Sequence, residues 1–144
     1  MNTTNKTAAK GKNRTISIVS LVDVVGALAS DNLDENIYLM DNNKPFGSHG
    51  EGTSGLQTAV EEGDVLIWTT ASMEPEAYAS ISAIEIDSEI CAPEKKTYPG
   101  SDVTYWSGKV KKSVKHCPYR LKVLVGTRTT PLQSSATPAL IGKA

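Results

Sequence analysis

Residues Gly50-Glu51-Gly52-Thr53-Ser54-Gly55 spell G-x-G-x-x-G, a pattern that cradles a dinucleotide when a strand precedes it and a helix follows. The nearest upstream strand candidate, NIYLM, ends at Met40, well short of the first glycine. Downstream, Ser54 and Gln57 could form a capping box, and Leu56, Ala59 and Val60 have helical spacing. Gly63 would stop that helix within two turns. The competing pattern is a strand, with Leu56, Thr58 and Val60 on one face and Gln57, Ala59 and Glu61 on the other. A Walker phosphate loop fails as well, because Thr53 stands where its lysine belongs. The spacing therefore predicts a glycine-rich inter-strand connection, in which glycine allows positive φ at no steric cost. No cofactor is expected on it.

The other candidate chemistry is sparse. His49 and Glu51 form the H-x-E of zinc deaminases, which also requires P-C-x-x-C. Cys117 is followed by Pro-Tyr-Arg, so the second cysteine of that motif is missing. His116 and Cys117 offer a pair of ligands where zinc wants three or four, so no metal is expected. G-x-S-x-G does not occur, and adjacent His116 and Cys117 on a strand would point to opposite faces. Asp41-Asn42-Asn43 reads as a turn, since no glutamate stands at the twelfth position of a calcium loop. No convergent acid, base, nucleophile or metal set is present, and the chain is not expected to be an enzyme. What remains is recognition. Tyr105 and Trp106 alternate on a strand, so one faces outward and could stack on a sugar or a partner. With His49 and Glu51 on the glycine-rich loop they form the candidate ligand-binding set. Trp68, and Trp106 if it faces inward, belong to the core.

Composition narrows the classes further. The chain has 144 residues, 39% hydrophobic and 22% charged, which suits one globular domain. Its formal net charge of -1 provides no basic field, so no nucleic-acid partner is expected. Lys109, Lys111, Lys112 and Lys115 read as a solvated strand end that discourages strand addition. Two cysteines, Cys91 and Cys117, do not make a secreted disulfide scaffold, and they read as separate thiols. No apolar run is long enough to cross a membrane, and the basic start lacks the apolar core of a signal peptide. A cytoplasmic location is expected.

The elements that would carry these residues are nearly all strands. Residues 1–13 lack an apolar pattern and read as a disordered tail, followed by one domain over 14–144. TISIVSLV (15–22) is apolar on both faces and reads as an interior strand covered on both sides. Asp23 offers an N-cap to a helical turn over VVGALA. NIYLM (36–40), VLIWTT (65–70), 78–87, VTYWSGKV (103–110) and YRLKVLV (119–125) follow, with ALI (139–141) as a short last strand. Within 78–87 the period slips between Ile81 and Ile84, which a β-bulge near Ser82-Ala83 would reconcile. In 119–125, Tyr119, Leu121, Val123 and Val125 point inward, with Arg120 and Lys122 outward. The segment 89–101 reads as a loop, and 126–138 is polar and interrupted by proline. The fold class is all-β, a mainly antiparallel β-sandwich of about seven or eight short strands with at most short helical turns.

Several segments together resemble one family. They are ISIVSLVDVVGAL, NIYLMDNN, GSHGEGTSGLQTAVEEGDVLIWTT, SDVTYWSGKVKK and PYRLKVLVG, spread over residues 14 to 142. The chain resembles the PixA/AidA family of bacterial inclusion-body proteins, most specifically in the glycine loop followed by Gly63-Asp64-x-x-x-x-Trp68. It departs from the family near the end, where Thr137-Pro138 replaces an Asp-Pro dipeptide, and it has only three methionines. The resemblance implies a non-enzymatic, self-associating protein of the bacterial cytoplasm or its inclusions, in some members quorum-sensing-regulated and linked to host association. A homo-oligomer is the expected partner, with contacts through sheet edges or exposed loops. The alternative is a lectin-like module whose partner is a glycan or small ligand.

Overall fold

The computed structural model describes residues 13–143, so the N-terminal tail expected from the sequence lies almost wholly outside the described residues. Strands β1 (Thr15–Val22), β2 (Ile37–Asp41), β4 (Val65–Ser72), β6 (Glu94–Thr97) and β7 (Thr104–Lys109) form a five-stranded sheet in the order β2-β1-β4-β7-β6. β5 (Ala79–Glu85), β9 (Arg120–Val125) and β10 (Leu132–Gln133) form a second sheet, ordered β10-β9-β5. β3 (Gln57–Val60), β8 (His116–Pro118) and β11 (Ala139–Gly142) form a third, ordered β3-β11-β8. Pairing is mainly antiparallel, with parallel ladders only at β1–β4 and β3–β11 among the described residues. The architecture is the expected all-β sandwich, with eleven strands among the described residues rather than seven or eight.

Alternation builds the interior. Ile16, Ile18 and Val22 of β1, with Leu66 and Trp68 of β4, face Leu121, Val123 and Val125 of β9 and Leu140 of β11 in one apolar cluster. Trp68 is fully buried, and its ring meets that of Tyr119 edge to face, with centroids 5.6 Å apart and planes at 77°. The inward set Tyr119, Leu121, Val123 and Val125 is buried as its period requires. The bulge falls where the slip in period demands it, between Ile81 and Ala83 in the β5–β9 register. Asp23 caps helix α1 (Val24–Ser30), accepting a hydrogen bond from the Gly26 amide at 2.9 Å.

Two readings are corrected. The expected loop 89–101 contains β6, and the polar segment 126–138 contains β10. β1 is interior to its sheet, but only its inner face is fully buried: Ser17, Val19 and Leu21 on the other face stay half-exposed.

The residues around Gly63-Asp64 hold the entry to the sheet. Gly63 has φ 97°, and Asp64 is fully buried. One Asp64 oxygen accepts from the Arg14 amide at 3.1 Å and the other from the Glu61 amide at 2.9 Å, while the Arg14 guanidinium lies 3.8 Å away. Arg14 also donates to Asn43 and stacks over Phe46, 4.0 Å from the ring centroid. The starts of β1 and β4 are thereby fixed in register.

Candidate functional site

The glycine-rich loop leads into a strand. Residues 57–60 are β3, not a helix, and the loop before them folds back along the free edge of β2. The Leu39 amide donates to the Thr53 carbonyl at 3.0 Å and the Gly52 amide to the Leu39 carbonyl at 2.6 Å. Gly50 and Gly52 take φ of 84° and 81°, which explains why glycine stands at both positions of this tight return. These glycines turn the chain and close a sheet edge.

His49 and Glu51 ride on that loop. His49 exchanges backbone hydrogen bonds with Gln57 at 2.8 and 3.0 Å and is itself exposed. Glu51 accepts from the Asp41 amide at 2.8 Å through Oε1, while Oε2 is buried without a partner. Burial raises the pKa of the Glu51 carboxyl above its ordinary value, and the neighbouring Asp41 carboxylate pushes in the same direction. Asp41 in turn accepts from the Thr58 hydroxyl at 2.8 Å. Glu51 is thus engaged in pinning the loop to β2.

Tyr105 and Trp106 lie elsewhere. Asp41, Ile18, Trp68 and Trp106 occupy one row across the sheet, on β2, β1, β4 and β7 respectively. At a strand spacing of about 4.8 Å, this separates the Glu51 loop from Trp106 by roughly 15 Å of sheet. The candidate set therefore divides into two pairs. Trp106 faces inward beside Trp68 and donates from Nε1 to the Ile81 carbonyl at 3.1 Å. Tyr105, next along the strand, projects to the opposite face.

Trp106 belongs to a cleft of about 180 Å³ that opens between β4, β5 and β7. Its wall includes Thr70, Tyr78, Ser80, Asp102 and Thr104, with Trp68 behind. Neither His49 nor Glu51 lines it. Sequence reasoning singled out Tyr105 and Trp106 by residue type, and both border the cleft, but it missed Tyr78, Ser80 and Asp102. These come from separate segments, and only the tertiary pairing brings them together.

Both thiols are buried and unpaired. Burial pushes Cys91 up to about 11 and raises Cys117 as well, so both are protonated at neutral pH. Among the described residues, no three His, Cys, Asp or Glu side chains gather as a metal site.

The geometry defines an all-β sandwich with a cleft between β4, β5 and β7. Residues 14–130 match the family described as Domain of unknown function (DUF8788), and the chain belongs to that family. Its fold is similar to the crystal structure of the inclusion body protein PixA from Burkholderia cenocepacia J2315, with a TM-score of 0.64. That similarity covers 90% of this chain and 95% of the other, at 13% sequence identity. The resemblance to PixA read from the sequence thus holds at the level of fold. No curated protein sequence matches the chain.

Proposed function

We propose that this chain is a non-enzymatic, self-associating bacterial protein of the inclusion-body type, resident in the cytoplasm or its inclusions, and that two copies meet through the outer face of the five-stranded sheet. The observation that carries the reading is this face. Strands β2, β1 and β4 present Tyr38 and Met40, Val19 and Leu21, and Ile67 respectively, all half-exposed. Cross-strand pairing places Leu21 beside Tyr38, and Val19 beside Met40. No charged side chain interrupts this face on β1 or β4, while Glu94, Lys96 and Lys109 on β6 and β7 form a polar rim. An apolar centre with a charged rim is the usual anatomy of a protein interface.

The edges of the sheet are less suitable. The β2 edge carries the Gly52-Thr53 return, and β6, fully exposed as Glu-Lys-Lys-Thr, guards the other. The strands of 5, 8, 8, 6 and 4 residues, at about 3.3 Å per residue and about 4.8 Å apart, give a face of roughly 500 Å². Two such faces together reach about 1,000 Å², the size of a small, reversible interface. No helix among the described residues is long and apolar enough to cross a membrane. The fold shared with an inclusion body protein supports the same reading. Static light scattering over a concentration series tests it: the mean mass should rise above that of one chain, and a strict monomer at high concentration contradicts it.

A further inference from the structure

We propose that the cleft between β4, β5 and β7 binds a hexopyranose ring, free or at the end of a glycan. The cleft exists because a ladder stops early. β4 continues to Ser72 and β7 begins at Thr104, yet their pairing ends at Trp68 opposite Trp106. Beyond that pair the strands part, and β5 forms the third wall.

The lining suits a sugar better than other small ligands. Tyr78 and Trp106 supply aromatic surface for the C–H face of a pyranose. Thr70, Ser80 and Thr104 carry hydroxyls, and Asp102 carries a carboxylate that can accept from a pair of sugar hydroxyls. No lysine or arginine lines the cleft, so an anionic ligand would find no counter-charge. A volume of about 180 Å³ admits one ring rather than an extended peptide.

The rim is also preorganised. Tyr78 is 60% exposed, but its carbonyl accepts from the Gly126 amide at 2.8 Å, which fixes the backbone beneath the ring. Asp102 sits in a tight turn closed by Tyr98 amide to Val103 carbonyl at 2.8 Å and Val103 amide to Ser101 hydroxyl at 3.1 Å. Its carboxylate is in no ion pair among the described residues. Fixing the backbone beneath both residues before binding lowers the ordering cost of association.

The test is titration of the full chain with glucose, galactose, mannose and N-acetylglucosamine, each to about 10 mM, following the Trp106 indole N–H resonance. At least one sugar should shift that resonance. Tyr78→Ala and Asp102→Ala should each weaken the response about tenfold or more with the melting temperature unchanged. Failure of all four sugars to move the resonance overturns the proposal. So does a sugar whose affinity is the same in both variants, which would place its site elsewhere. The readout is independent of self-association, so a monomeric chain that still binds would overturn only the reading of the outer face.

Discussion

Trp68 and Trp106 stand opposite one another on β4 and β7, and they are the last pair of that ladder. Toward the core, Trp68 is fully buried against Tyr119. Beyond Trp106 the sheet parts into the cleft. One cross-strand pair therefore marks the boundary between the packed interior and the cleft.

Trp68→Ala should remove the largest buried side chain of the core and leave Tyr119 without its edge-to-face partner. Chemical denaturation should report a loss of about 3–5 kcal/mol. The buried phenol of Tyr119 is held in its neutral form by desolvation, and it should ionise readily only once the chain unfolds.

Gly108→Ala tests close packing at the other end of the same ladder. A Cβ there would lie 2.6 Å from Cys91 Sγ and 3.1 Å from Pro93 Cα. The substitution should cost about 1–3 kcal/mol. Because the sulfur is the tightest contact, Cys91→Ala in the same chain should recover part of that loss, measured as a double-mutant cycle.

Glu51→Gln should leave the loop pinned, since an amide oxygen can still accept from the Asp41 amide. In the native chain the raised Glu51 carboxyl favours folding only while protonated, and that contribution is lost as pH rises through its folded value. The glutamine variant should therefore melt higher than the native chain at pH 7. The difference should vanish below about pH 4, where both side chains are neutral.

Asp34 gives the opposite sign. It accepts from the Ser134 hydroxyl at 2.6 Å and from the Ser135 amide and hydroxyl at 2.5 and 2.6 Å. These donors lower its carboxyl to about 2. Its contribution is present above the unfolded value of about 3.9 and is lost as pH falls through the folded one. Asp34→Asn should cost about 1 kcal/mol at pH 7 after solvent screening, with the gap closing in acid.

Local pattern made much of this fold legible. The alternation of β9, the bulge after Ile81 and the Asp23 cap each follow from neighbouring residues. β6 was hidden because Glu94-Lys95-Lys96-Thr97 is exposed throughout and gains its strand only from its partner β7. β10 has just Leu132 and Gln133 to announce it. The parallel β1–β4 ladder was equally invisible, because register between distant strands is a tertiary property. For the same reason Trp106 could be picked out by type, whereas Tyr78 and Asp102 gain significance only when the parted ladder brings them to one cleft.

The most direct measurement is sedimentation velocity on the native chain and on Ile67→Lys over the same concentration range. Ile67 lies at the middle of the outer face, paired with Ser17 and Ser107, so a lysine there should leave the core intact. Concentration-dependent association of the native chain, abolished in Ile67→Lys at unchanged melting temperature, is the predicted result. Equal association of the two chains, or a native chain that remains monomeric throughout, would contradict it.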